Sequence, residues 1–120
     1  MNRWVAVGTL SAFLGVALGA FGAHALANRL SERELAIFHT GTQYQMYHAL
    51  ALIGLGIYVA REPSDAANFA GWAFTLGTVI FSGSLYALAL SGVRMLGAIT
   101  PVGGVLFLIG WLAFFKAALK

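Results

Sequence analysis

Hydrophobic residues fill four long stretches of the chain, and each stretch is free of Asp, Glu, Lys and Arg. These stretches are residues 4–26, 35–60, 66–93 and 95–115. A helix needs about 20 apolar residues to cross about 30 Å of hydrocarbon, and every stretch reaches that length. Polar side chains occupy the first half of the second stretch. The pattern predicts four membrane-spanning helices, of which the second is half polar.

Capping residues mark where the second and third helices begin. Ser31 and Glu34 have the spacing of a capping box, in which each side chain bonds the backbone N–H of the other residue. Pro63 ends the second helix, because the residue before a proline is disfavoured in helical conformation, and Ser64 follows as the next N-cap. We therefore expect the second helix to begin before the hydrocarbon does.

Similar signals place the end of the third helix and the start of the fourth. Gly92 ends the third helix, while Thr100 and Pro101 predict the start of the fourth as N-cap and first helical residue. The first stretch resembles a secretory signal ending in the A-x-A pattern of residues 23–25, but it exceeds the 7–15 residues of a cleavable apolar region, so we expect it to be retained. The predicted helices cover about residues 4–26, 31–60, 65–91 and 100–118 of a single membrane domain, 1–120.

The predicted fold is all-α: an integral membrane four-helix bundle, up-down-up-down, with both termini on the same side. Side A then carries the N-terminus, the loop of residues 61–67 and the C-terminus. Side B carries the loops of residues 27–34 and 91–99. Four of the seven basic residues fall on side A and three on side B, which favours side A in the cytoplasm by the positive-inside rule.

Composition narrows the class of protein further. Hydrophobic residues make up 60% of the chain and charged residues 9%, against roughly 25% charged residues in soluble domains, which excludes an ordinary water-soluble globule. The net charge of +3 comes from basic residues that stand singly between apolar runs, so it indicates membrane flanks rather than nucleic-acid binding. The absence of cysteine excludes disulfides, thiolate metal sites and cysteine nucleophiles.

Polar residues of the second and third helices fall at similar depth, in the half of the membrane nearer side B. Gly41, Gln45, His48 and Leu52 share one face of the second helix, because residues three and four apart are neighbours on a helix. Polar groups in hydrocarbon turn inward, since each unsatisfied group costs several kcal/mol. The candidate polar cluster comprises His48, Gln45, Tyr44, Ser82, Ser84, Tyr86 and His24.

The cluster has two interpretations. In the structural one, the polar groups form a hydrogen-bonded network that joins helices two and three. In the functional one, they line a cavity, open to side B, for a small molecule, a lipid head group or a quinone. A haem held by His24 and His48 is disfavoured by a depth difference of about 8 Å, and a metal site at His24, His39 and His48 lacks an acid nearby. We expect no cofactor and no metal.

Small residues form nearly continuous stripes on helices one and three, as expected where helices approach closely in lipid. On helix one the stripe runs from Gly8 to Ala23. The stripes predict packing within the bundle, the alternative is a seam between copies of the chain, and both uses can coexist. The residues predicted to pack are Gly15, Gly19, Gly22, Gly77, Gly103 and Gly104.

Four segments in combination are similar to those of a known family. They are GAFGAH at residues 19–24, FHTGTQYQMYHALAL at 38–52, FSGSLYALALSG at 81–92 and LGAITPVGGVLFLIGWL at 96–112. Through them the chain resembles the YgdD/YwdK family of small bacterial inner-membrane proteins, also called domain of unknown function 423. The resemblance implies a four-helix integral membrane protein, and it implies no established activity, cofactor or catalytic residue.

We therefore expect a multi-pass protein of the bacterial inner (plasma) membrane without catalytic chemistry, acting as a packing or accessory module or binding lipid or a small ligand. An oligomeric small-solute carrier or channel would need a polar path through both halves, and the half near side A has hardly any polar side chain. A quinone- or haem-binding redox subunit would depend on His48, but no carboxylate pair, activated nucleophile or phosphate loop supports an enzyme. Expected partners are membrane lipid and a homo-oligomer or larger membrane complex, with no nucleic acid.

Overall fold

Four long helices account for nearly all of residues 1–120, which the computed structural model describes. Helix α1 spans Arg3–Leu26, α2 Glu32–Arg61, α3 Asp65–Ser91 and α4 Leu96–Ala118. Three of them, α1, α3 and α4, are long and apolar enough to cross a membrane. The predicted all-α class is confirmed, and α2 differs from the other helices because its first half is polar.

Capping residues start α2 and α3 as predicted. The Ser31 hydroxyl accepts the N–H of Glu34 at 3.1 Å, and the Glu34 carboxylate accepts the N–H of Ser31 at 2.8 Å, so the capping box is confirmed. Ser64 caps α3 by accepting the N–H of Ala67. Gly92 ends α3 with a φ of 72°, in the left-handed region that glycine enters without a Cβ clash.

Helix α4 begins earlier than predicted. Its first residue is Leu96, and Pro101 lies inside the helix, where its missing N–H removes one hydrogen bond. The hydroxyl oxygens of Thr100 and Ser84 lie 2.6 Å apart. The prediction of Thr100 as N-cap is wrong, because the helix begins before it, at Leu96, and its hydroxyl pairs with α3.

The winding of α1 changes over its last third. Residues Ala17–Gly22 form a π-helix between the α-helical segments Arg3–Val16 and Ala23–Leu26. A π-helical turn closes its hydrogen bond one residue later than an α-helical turn. The residues after it are therefore rotated about the axis relative to a continuous α-helix.

Consecutive helices pack against each other, and α2 lies between α1 and α3. Hydrogen bonds join the first turns of α1 and α3 and the last turns of α2 and α4 at one end of the molecule. Lys120 donates to Glu62 at the same end, and this hydrogen bond raises the pKa of the Lys120 ammonium. The other bonds there are from Asn2 to the Gly56 carbonyl, from Trp4 to the Asn68 side-chain oxygen, and from Tyr58 to the Ala117 carbonyl.

A small apolar core lies toward that end, and large apolar side chains cover much of the outer surface. Trp4, Leu55 and Phe74 are almost completely buried, with exposures of 2%, 0% and 0%. By contrast, Leu112 and Phe115 of α4 are 68% and 63% exposed. A soluble monomer rarely leaves so many large apolar residues uncovered, so the surface suits an apolar environment.

Candidate functional site

Gln45 lies in the middle of α2 and bonds both α1 and α3. Its amide nitrogen donates to the carbonyl oxygen of Ser11 at 2.9 Å, and its amide oxygen accepts the hydroxyl of Tyr86 at 2.5 Å. The residue is only 6% exposed. One side chain of α2 therefore links the two helices on its flanks.

Two serines of α3 bond different neighbouring helices. Ser82 donates to the carbonyl of Gly41 on α2 at 2.6 Å, whereas Ser84 pairs with Thr100 on α4. A separation of two residues on an α-helix corresponds to a rotation of about 200°. These two side chains therefore point to opposite flanks of α3. Both serines are buried, and each helps to fix a helix pair.

His48 faces α4 and does not share the partners of Gln45. Its Nε2 accepts the indole N–H of Trp111 at 3.0 Å, and its Nδ1 lies 2.8 Å from the carbonyl oxygen of Tyr44. Phe107 stacks on the imidazole with ring centres 3.6 Å apart. Because a carbonyl oxygen only accepts, Nδ1 carries the proton and Nε2 is the acceptor of a neutral ring. Nε2 therefore joins α2 to α4, whereas Nδ1 is bonded within α2.

The polar residues singled out from the sequence fall into two groups and one outlier. His24 is exposed near the end of α1, away from both groups. No set of three or more His, Cys, Asp and Glu side chains is placed to hold a metal ion. The first group is Gln45, Ser82 and Tyr86, between α1, α2 and α3, and the second is Tyr44, His48 and Ser84, toward α4.

A groove of about 500 Å³ opens between α1 and α3, with α2 as its floor. Leu10 and Leu14 contribute apolar surface from α1, and Val79 contributes it from α3. Four of the five hydroxyl groups on its walls already have partners within the protein: those of Thr75, Thr78, Ser82 and Tyr86 all donate to protein oxygens. The fifth belongs to Ser11. The groove therefore offers apolar surface and few free polar groups.

Close helix contacts occur at some of the glycines predicted to pack and also at glycines that were not predicted. A Cβ on Gly103 would lie 2.4 Å from the backbone nitrogen of Phe81, and one on Gly77 would lie 2.7 Å from the Phe107 ring. At Gly15, Gly19, Gly22 and Gly104 the nearest atoms lie 3.4, 3.6, 3.4 and 3.9 Å away, which is ordinary contact. A Cβ on Gly8 would be as close to its nearest atom, the Ala49 carbonyl oxygen at 2.7 Å, as one on Gly77. The unpredicted close contacts, all nearer than 3.0 Å, are at Gly41, Gly56, Gly71 and Gly110.

The partners that Gln45 and His48 have on α1 and α4 were not predicted. Ser11 contributes a backbone carbonyl, which every residue type carries. Phe107 and Trp111 resemble ordinary lipid-facing aromatics in the sequence. Their spacing of four residues, which puts both on one helix face, is the signal that could have found them.

Comparison with known proteins gives full-length relatives. A family model described as "Protein of unknown function (DUF423)" matches residues 18–104. A UPF0382 membrane protein of Staphylococcus epidermidis is 50% identical over 120 residues, which is 100% of this chain and 98% of the relative. The UPF0382 membrane protein YwdK of Bacillus subtilis is 44% identical over 122 residues, with the same two shares. No solved structure matches the chain. The similarity extends over all four helices.

Proposed function

The chain belongs to the DUF423 family, whose relatives are named membrane proteins, and from that premise we propose that all four helices cross a bacterial plasma membrane. Helix α2 has 30 residues, about 45 Å at 1.5 Å per residue. It lies alongside nearly the whole of α1, because Gly8 contacts Ala49 and Gly22 contacts Phe38. A helix paired in this way with a spanning helix occupies the same depth.

The proposed topology is an up-down-up-down bundle with both termini on side A. The bonds of Asn2 with Gly56 and of Tyr58 with Ala117 support it, because they link the ends of α1, α2 and α4. Association into a homo-oligomer or a larger membrane complex stays a prediction.

We further propose that the protein holds the hydrocarbon chain of a membrane lipid in the groove between α1 and α3. The observation that carries this proposal is the groove itself: its volume of about 500 Å³ falls within the 300–1,000 Å³ of ligand sites. Four of its five wall hydroxyls are already hydrogen-bonded, so a polar solute would lose its water and gain few partners. A hydrocarbon chain needs no hydrogen-bonding partner.

The two rival functions have less support. A solute carrier requires polar groups free to bind a solute, whereas the bond of Gln45 with Tyr86 and that of Ser82 with Gly41 are internal. A haem or quinone on His48 would first have to displace the indole N–H of Trp111 or the carbonyl of Tyr44. The geometry therefore favours lipid binding, with His48 joining helices.

A variant that fills the groove without disturbing the helices tests the proposal. Gly83 lines the groove, and a Cβ there would meet nothing within 4 Å, so Gly83→Leu adds volume in the groove alone. Gly54→Leu is the matched control, because Gly54 has equally open surroundings and does not line the groove. Both changes favour helix formation by similar amounts. The probe is palmitic acid carrying a mid-chain diazirine, cross-linked by light to the purified full-length protein.

We expect the wild type and Gly54→Leu to be labelled on the groove-facing residues of α1 and α3, and Gly83→Leu to lose most of that labelling. Equal labelling of the two variants, or labelling concentrated on the outer face of α4, would contradict the groove as the binding site. Mass spectrometry of the cross-linked peptides gives the measurement.

A further inference from the structure

A second cavity, of about 570 Å³, lies where the first turns of α2 meet the end of α3 and the α3–α4 loop. Its character differs from that of the groove because two arginines are among its lining residues. Arg33 comes from the second residue of α2, and Arg94 comes from the loop that joins α3 to α4. Residues far apart in the chain thus bring two positive charges to one cavity.

Neither arginine is paired with an acidic group. The ion pair of the structure joins Lys120 to Glu62, at the opposite end of α2. Glu34 is the acid in the lining, and its Oε1 already accepts the N–H of Ser31 in the capping box. Two arginines and one glutamate give the residues lining the cavity a net positive charge.

The cavity is placed where the apolar helices end. Helix α3 ends at Ser91 and α4 begins at Leu96, so Arg94 lies between two helices that are each apolar enough to span a membrane. Leu88 and Ile37 line the cavity from within their helices. In the proposed transmembrane arrangement, on which this inference rests, the arginines reach the level of lipid head groups and the apolar pair lies on the hydrocarbon side.

We propose that Arg33 and Arg94 together bind a phosphate group in this cavity. A guanidinium presents its donors as a planar fork that matches two phosphate oxygens, and two forks from separate segments can hold one phosphate between them. The phosphate belongs either to an anionic phospholipid, whose upper chain carbons then contact Leu88 and Ile37, or to inorganic phosphate.

Substitution of each arginine, with a third arginine as control, tests the site. Arg33→Gln and Arg94→Gln each remove one charge from the cavity. Arg29→Gln removes the same charge from the same end of the molecule but from a residue outside the lining. The purified full-length protein is titrated in detergent micelles with dioleoylphosphatidylglycerol, followed by native mass spectrometry, and separately with sodium phosphate, followed by 31P NMR.

We expect Arg33→Gln and Arg94→Gln each to raise the Kd for phosphatidylglycerol about fivefold, the effect of one basic residue at an anionic membrane surface, and Arg29→Gln to bind as the wild type does. Arginine-dependent binding of the lipid that inorganic phosphate does not displace identifies a head-group site. Arginine-dependent binding of inorganic phosphate identifies a free-anion site.

Equal binding by all three variants in both titrations would overturn the proposal. Both arginines are exposed, so the variants are expected to fold, and unchanged thermal unfolding in detergent verifies this. Because the phosphate titration needs no bilayer, a failure of the transmembrane arrangement is distinguishable from a failure of this site.

Discussion

The imidazole of His48 joins α2 to α4 through two different interactions, a hydrogen bond from Trp111 and a stacked contact with Phe107. In lipid, burying apolar surface between helices gives little net gain, because the hydrocarbon tails are as apolar as the side chains. Directional contacts and close packing then decide which helices stay together. We therefore expect His48 mainly to fix the position of α4 relative to α2.

Trp111→Phe should lower the free energy of unfolding by about 0.6–1 kcal/mol, the size of hydrogen bonds measured inside membrane proteins. The substitution removes the indole N–H and keeps an aromatic ring. In a double-mutant cycle with His48→Phe, the coupling energy should have the same size. Unfolding in mixed micelles of dodecyl sulfate gives the measurement. Trp72→Phe is the control, because Trp72 is half exposed and contacts Trp4 edge-on; an equal cost for both tryptophans would contradict the bond.

The inward direction of the polar residues could be predicted, but their partners could not. Burial of Gln45 and His48 follows from the cost of unsatisfied polar groups in lipid. Their similar depth predicted one cluster, yet a spacing of three residues turns their side chains about 60° apart on a helix. That angle sends Gln45 toward α1 and α3 and His48 toward α4. Which helix occupies each direction depends on the packing of the whole chain.

Among the helix ends, those that a single capping residue fixes could be predicted. Ser31, Ser64 and Gly92 act on backbone within four residues of themselves, so the information is local. The start of α4 could not be predicted, since Thr100 bonds Ser84 on another helix. The π-helix of Ala17–Gly22 could not be predicted either, because its small and apolar residues carry no signal that separates it from an α-helix.

The contact of α3 with α4 at Gly103 is a close approach at which packing can be tested against backbone. Gly103→Ala should destabilise the protein by about 1–3 kcal/mol, because the new Cβ would lie 2.4 Å from the backbone nitrogen of Phe81. Gly104→Ala, one position later, should be neutral or stabilise the helix by up to about 1 kcal/mol, since its Cβ would lie 3.9 Å from the Phe81 ring. Thermal unfolding in detergent compares them, and equal melting temperatures would show that the helices move apart at no cost.

The whole molecule measures 49 × 26 × 18 Å, and its long dimension matches a bilayer with its head groups, about 40–45 Å. Only 26 of 120 residues are buried, because few side chains of such a narrow assembly can point inward. Most large apolar side chains therefore need an apolar solvent. The proposed membrane location supplies it.

Single-cysteine labelling should separate four spans from three. The chain has no cysteine of its own, so Asn28→Cys, Pro63→Cys and Val93→Cys each add one unique thiol in a loop. With four spans, positions 28 and 93 lie on one side of the membrane and position 63 on the other. The charge bias favours position 63 in the cytoplasm, so an impermeant maleimide should label positions 28 and 93 on intact cells and position 63 only after lysis.

Other labelling patterns have definite meanings. Positions 28 and 63 labelled from the same side would leave α2 outside the membrane and would contradict the four-span arrangement. Position 63 labelled from outside, with 28 and 93 protected, keeps four spans and reverses the orientation.

Several bonds between the helices end on backbone carbonyl oxygens, as when Gln45 donates to Ser11 and Tyr58 donates to Ala117. Every residue type carries that oxygen, so the accepting position can exchange its side chain while the donating position cannot. Mutational drift is thus constrained unequally across each interface: a saturation library should tolerate many residues at position 11 and few at position 45. Gly41 and Gly56 are exceptions among the acceptors, because the Tyr86 ring at Gly41 and the side chains of Val5 and Asn2 at Gly56 fill the space that a new side chain would need.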